Sequence, residues 1–202
     1  MREFELIARF FAPLAGPAGL GLRDDAALIP PPPGQELVVS TDALVADVHF
    51  FADDPPVTVG HKALAVNLSD LAAKGATPLG FQLALMLPDG VGDAWLAGFA
   101  DGLGALAAEA ACPLTGGDTV ATPGPLSVAI TVFGSVPAGA MVPRGDAATG
   151  NRLVVTGTIG DGAIGLKVRA AERRGRRWPM TADHIAYLRG RYLSPRPRFA
   201  AA

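Results

Sequence analysis

Of the 202 residues only Cys112 is a cysteine, so the chain can hold no internal disulfide, which fits a reducing compartment. Aromatic residues make up only 6% of the chain. They are too rarely interleaved with basic residues to form a stacking platform for nucleic acid. No run of about 18 apolar residues occurs, so no membrane span is expected. The opening Met1-Arg2-Glu3-Phe4-Glu5 carries acids where a signal peptide is basic and then apolar. Neither sign of charge is in marked excess, with 17 basic and 19 acidic residues and a net charge of -2. These absences predict a soluble cytoplasmic protein that engages neither membrane nor nucleic acid. Half of the residues are apolar, and 25 glycines and 18 prolines indicate a compact fold with many tight turns.

The near-neutral average hides an asymmetry. Residues 1–143 carry five basic and fifteen acidic side chains, and residues 144–202 carry twelve basic and four acidic. The acidic part suggests metal ions; the basic part suits phosphate or a solvated or partner-facing surface. The shift coincides with Pro143-Arg144-Gly145-Asp146 through Gly150, which reads as a linker. Two units follow: an N-terminal domain over 1–143 and a smaller one over 144–202.

Phe4, Ile7, Phe10 and Phe11 predict a short amphipathic helix over residues 3–12. Ala26–Ile29 and Glu36–Thr41 read as strands, the second largely buried through Leu37, Val38 and Val39. Residues 58–74 give the clearest helix, with Leu64, Leu68 and Leu71 on one face and Asn67, Asp70 and Lys74 on another. Gly75 is placed to cap it. Phe81–Leu87 reads as a strand. Residues 93–111 read as a helix with Trp95, Phe99, Leu103 and Leu106 inward; its glycines 98, 102 and 104 either cost stability or permit close packing. Residues 126–133 alternate as a strand should. Beyond the linker, Arg152–Thr156 reads as a strand, Gly157–Gly165 turns into a helix ending near Arg174, and residues 181–191 are helical. The fold class is α+β.

The acids fall at places where chemistry gathers. Asp24 and Asp25 precede an expected strand, Asp42 ends Ser40-Thr41-Asp42, Asp70 shares a helix face with Asn67, and Asp118 follows Gly116-Gly117. Carboxylates at strand ends and in glycine-rich turns can meet in one cleft, where they would repel one another unless hard cations joined them. Magnesium takes carboxylate and water oxygens and commonly substrate phosphates as well, which points to nucleotide chemistry. Each acid also has a plain structural role open to it: a cap, a turn, or for Asp70 an i,i+4 pair with Lys74.

The strings RDDAALI (23–29), STDALVADVHF (40–50), KALAVNLSDLAAKGATP (62–78) and LTGGDT (114–119) resemble the thiamine-monophosphate kinases. These belong to the ATP-binding superfamily shared with aminoimidazole ribonucleotide synthetase and selenophosphate synthetase. The resemblance runs from residue 3 to about residue 198. It implies a PurM-like N-terminal αβ domain with a mixed or antiparallel sheet, dimerising through that sheet, followed by an incomplete C-terminal αβ domain. It implies transfer of the γ-phosphate of ATP to thiamine monophosphate, with Mg2+ bridging the phosphates. Residue by residue it implies Asp25, Ser40, Thr41, Asp42, Asp70 and Asp118 as metal positions. Gly117, Asp118 and Arg144 would serve ATP, and His49 the substrate. The acceptor is itself an ionised phosphate, so no general base is assigned.

Two departures stand out. Arg23 occupies the place of a family glycine before the paired acids, where it could neutralise them. The family continues with an Asp-x-Ser-Asp-Gly motif that these residues do not contain, so they are expected to hold about half of the site. A non-catalytic or incomplete dimer, binding Mg-nucleotide weakly or not at all, is therefore the alternative to a kinase. Cys112 is read as a small core residue, His61 as surface, His184 as outside any motif, and the basic run Arg173–Arg177 with Trp178 as a solvated helix end and loop.

Overall fold

A computed structural model describes residues 3–199; Met1, Arg2 and the alanines 200–202 lie outside the described residues, as do those ends of the two expected domains. In order come α1 (Glu3–Leu6), β1 (Gln35–Val45), α2 (Pro56–Ala73), β2 (Thr77–Leu87), α3 (Asp93–Glu109), β3 (Leu114–Ala121), β4 (Ser127–Pro137), α4 (Asp161–Arg173) and α5 (Ala182–Leu193). The strands form one mixed sheet in the order β1-β4-β2-β3. β4 runs antiparallel to both β1 and β2, while β2 and β3 are parallel and joined through α3. The α+β class and the mixed sheet expected from the sequence are both present.

α2 lies against β1 and β4, α3 packs along α2, and α5 touches α2. Phe81, Phe99, Leu64, Leu68, Leu71 and Leu103 are wholly buried between these layers. Glycine sets how closely the helices approach. A Cβ at Gly60 would lie 2.1 Å from the Phe99 carbonyl oxygen, and one at Gly102 would lie 1.8 Å from that of Val57. Of the two roles open to the helix glycines, close packing holds at Gly102. Gly75 takes a positive φ of 69° and ends α2 as expected.

The other face of the sheet is largely open. Leu37 and Val39 are 44% and 55% exposed, so β1 is half-buried and not largely buried as its composition suggested. The register explains this: Val38, Ser40, Asp42 and Leu44 share the helix-covered face, and Leu37, Val39, Thr41 and Ala43 share the open one.

Other expectations fail for identifiable reasons. Ala26–Ile29 is a loop with Leu28 exposed, and Arg152–Thr156 forms no regular structure, with Leu153 96% exposed. Both runs have strand composition, but among the described residues no strand pairs with either, and pairing defines a strand. Gly116-Gly117-Asp118, read as a turn, lies inside β3. At the N-terminus α1 widens into a π-helical stretch over Ile7–Phe11, so Phe10 and Phe11 are buried while Phe4, expected on the same stripe, is exposed.

Candidate functional site

β1 and α2 build the core of the site together. Ser40 and Asp42 leave β1 on the covered face, toward the polar side of α2. Wholly buried Asn67 bridges the two elements: its Nδ2 donates to the Ala63 carbonyl at 2.9 Å, and its Oδ1 accepts from the Asp42 backbone N–H at 3.0 Å. One helical turn on, Oδ2 of Asp70 accepts from the Ser40 hydroxyl at 2.7 Å. Asp70 therefore bonds to Ser40, and among the described residues it makes no ion pair with Lys74. Burial raises the Asp42 pKa above the ordinary 3.8, the Asp70 charge raises it further, and His49 partly offsets the shift. A raised carboxylate beside another carboxylate is a place where a cation lowers the energy.

Asp42, Ala65, Val66, Ser69 and Asp70 line a cleft of about 280 Å³, closed on its far side by Pro195, Arg196 and Pro197. His61 anchors that far side, its Nε2 lying 2.8 Å from the Pro195 carbonyl oxygen. The expectation of a surface role for His61 is thus corrected: it is half-buried in the first half of α2. His49 sits exposed in the turn after β1, its Nδ1 accepting from the Val45 N–H at 3.0 Å.

The remaining expected residues lie elsewhere. Thr41 points to the open face, its hydroxyl 2.9 Å from that of Thr131. The register sets Asp118 in the open-face row Ala43–Ala129–Ala84–Asp118. β1 and β3 are the two sheet edges, so Asp118 is three strand spacings, about 14 Å, from the row of β1. Asp25 is in an exposed bend, Arg144 in the exposed linker. Gly117 has a φ of 156°, and a Cβ there would lie 1.8 Å from the Leu83 carbonyl oxygen. Arg23 has an ordinary φ of -114° and makes no ion pair among the described residues, so its backbone does not need the family glycine. Among the described residues no three Asp, Glu, His or Cys side chains gather as a metal cage. The donors that do gather, two carboxylates and a hydroxyl, suit magnesium, which is commonly held by one or two carboxylates with water and phosphate completing its shell.

A second polar cluster went unnoticed in the sequence. Asp54, its side chain 1% exposed, accepts from the Phe51 N–H at 3.0 Å, Arg169 Nε at 2.9 Å and the Tyr192 hydroxyl at 2.9 Å. It ties α4 and α5 to the loop before α2. Lys62 Nζ lies 3.6 Å from the centre of the Tyr192 ring with no hydrogen-bond partner among the described residues, and burial lowers its pKa from 10.5 to about 8 against the pull of Asp54. Arg173, read as solvated, pairs with Asp53 at 2.8 Å and stacks on Phe51. The rest of that basic run, Arg174, Arg176 and Arg177, lines an open cleft with Lys167 and Trp178. Cys112 is fully buried, as expected, and burial pushes its thiol up to about 12.

A mixed sheet backed by helices, with acids at the junction of its first strand and first long helix, makes this an α+β protein with a polar site where sheet and helix meet. Residues 23–136 match the family described as AIR synthase related protein, N-terminal domain, and the chain belongs to that family. It is similar to the thiamine-monophosphate kinase of Caulobacter vibrioides, 44% identical over 198 residues, covering 97% of this chain and 54% of that protein. The Escherichia coli K12 kinase is 45% identical over 199 residues, covering 97% of this chain and 59% of that protein. The chain therefore spans little more than half the length of these relatives. The solved thiamine-monophosphate kinase of Stenotrophomonas maltophilia superposes with a TM-score of 0.82 at 39% identity, covering all of this chain and 63% of that one. AaThiL, solved as a complex with AMPPCP and TMP, superposes with a TM-score of 0.76 at 27% identity over 99% of this chain and 62% of that one. Among the described residues no helix is long and apolar enough to cross a membrane.

Proposed function

We propose that this chain carries the N-terminal, magnesium- and ATP-binding part of a cytoplasmic thiamine-monophosphate kinase, which transfers the γ-phosphate of ATP to thiamine monophosphate. Residues 1–143 form the binding and dimerising unit, and 144–202 begin the C-terminal domain. The observation that carries this reading is the Ser40–Asp42–Asn67–Asp70 constellation, an acid pair facing a cleft and joined to no cation by an ion pair among the described residues. Asn67 fixes the β1 backbone at Asp42, and Ser40 orients Asp70, so both carboxylates are set before any ligand arrives. Magnesium, when bound, would neutralise phosphate charge, which with positioning is most of what phosphoryl transfer requires. His49, near enough to influence Asp42, is assigned to the substrate, and Arg144 to ATP.

Thr41, Gly117 and Asp118 stay in the site on the further reading that it is shared between two copies. The open face exposes Leu37 and Val39, and a homodimer covering it would bring β3 of one copy toward β1 of the other. Val39→Asp is expected to yield a monomer by sedimentation and to lose Mg-nucleotide binding with it.

The test is thermal unfolding with magnesium and AMPPCP against AMPPCP alone. Ligand at about 100 times its dissociation constant adds roughly 2.7 kcal/mol, a rise of roughly 5–10 °C for a chain of this size. Formation of thiamine diphosphate would establish the kinase. Weak magnesium-dependent binding without turnover supports the incomplete-dimer alternative. No magnesium-dependent rise refutes a working phosphate site in this chain and leaves the incomplete, non-catalytic dimer.

A further inference from the structure

The wall opposite Asp42 and Asp70 is the strap Pro195-Arg196-Pro197. It is held in place: the Pro195 carbonyl meets His61 of α2 at 2.8 Å, and the two prolines fix the backbone on either side of Arg196. Arg9, Arg169, Arg173, Arg189 and Arg191 all pair with carboxylates. Arg196 lines a cleft that contains two carboxylates, yet it is exposed and joins none of the ion pairs or hydrogen bonds among the described residues. A counter-ion for the acids would have closed on them.

We propose that Arg196 is a phosphate-anchoring residue of this cleft, gripping oxygens of the same phosphate whose other oxygens face a cation held by Asp42 and Asp70. The proposal rests on the metal–phosphate reading above and deepens it. Charge supports it: a divalent cation balances two carboxylates, leaving the guanidinium to meet the phosphate. Chemistry supports it too, because the planar fork of arginine matches paired phosphate oxygens, which a lysine ammonium meets only as a point charge. At about 280 Å³ the cleft lies just below the usual 300–1,000 Å³ of whole-ligand sites, so it suits the phosphate end of a nucleotide or phosphate ester.

The experiment is calorimetric titration of the chain with inorganic pyrophosphate in excess magnesium, and separately with manganese(II) alone, for wild type, Arg196→Gln, Arg196→Lys and Asp42→Asn. Arg196→Gln is expected to weaken pyrophosphate binding about tenfold or more, the order of one lost charge-assisted contact, and to leave manganese affinity unchanged. Arg196→Lys should recover part of the loss, and Asp42→Asn should weaken both ligands. If Arg196→Gln binds pyrophosphate as wild type does while Asp42→Asn does not, Arg196 is no anchor and the site itself stands. If Arg196→Gln loses manganese as well, the strap supports the acids and not the phosphate, and the proposal is overturned. If wild type binds neither probe, the metal–phosphate reading fails and Arg196 with it.

Discussion

Gly102 of α3 presses on Val57 of α2 so closely that a methyl group at 102 would lie 1.8 Å from the Val57 carbonyl oxygen. The obstacle is backbone and cannot rotate away, so Gly102→Ala must push the helices apart. The expected loss is at least about 1–3 kcal/mol, the usual cost of overpacking, despite the better helix propensity of alanine. Gly190 in α5 has nothing within 4 Å of a built Cβ, so Gly190→Ala should stabilise by roughly 0.5–1 kcal/mol. Urea unfolding of both variants checks the pair, and equal effects would refute the close approach.

Asn67 is the hinge of the acid site and also a buried polar side chain with both ends satisfied. Asn67→Ala strands the Asp42 N–H and opens a small void. A loss of about 1–3 kcal/mol is expected, the cost of leaving a buried group unsatisfied. Asp70→Asn keeps the shape and an acceptor for Ser40, so it should change stability far less while weakening magnesium binding. Denaturation and metal titration of the two variants separate the structural role from the ligand role.

The residues that carried most information in the sequence were those with periodic local partners. Leu64, Leu68 and Leu71 marked α2, and the polar spacing of Asn67 and Asp70 marked the side that meets β1. The family resemblance groups Ser40, Thr41 and Asp42 as metal positions, although side chains on a strand change face at every residue and Thr41 lies opposite its neighbours. The pair Gly116-Gly117 misled, because it reads as a turn but lies inside β3, where Gly117 serves close approach to β2. Apolar composition misled at Leu153–Val155, since pairing is a property of the neighbour and not of the run. The His61–Pro195 contact spans 134 residues, and nothing local in either segment announces it. Nothing local therefore set Arg196 beside the acids.

Asp54 holds α4 and α5 through Arg169 and Tyr192. Asp54→Ala removes one of the two carboxylates on Arg169, with Asp53 still 2.9 Å from it, and strands the Tyr192 hydroxyl and the Phe51 N–H, so a loss of about 1–3 kcal/mol is expected. Hydrogen exchange should rise across residues 161–193 before it rises in the sheet. A loss below about 1 kcal/mol would mean that water replaces the network at little cost, as for exposed pairs.

Lys62 gives the fold a pH dependence of definite sign. Its pKa falls from 10.5 to about 8 on folding, so between these values the unfolded chain binds more protons and stability rises with pH. Cys112 works the other way from its ordinary 9.0 upward, because the folded thiol keeps its proton to about 12. Burial and the charge of Asp54 raise Tyr192, which likewise opposes Lys62 above its ordinary 10.0. The clean window is therefore below pH 9. Between about pH 7.5 and pH 9 the stability of wild type relative to Lys62→Met should shift by about 1 kcal/mol in favour of wild type, the equivalent of somewhat under one pKa unit. Urea titrations of both proteins across that window measure the shift, and a constant difference would show that Lys62 is solvated and titrates as it does in the unfolded chain.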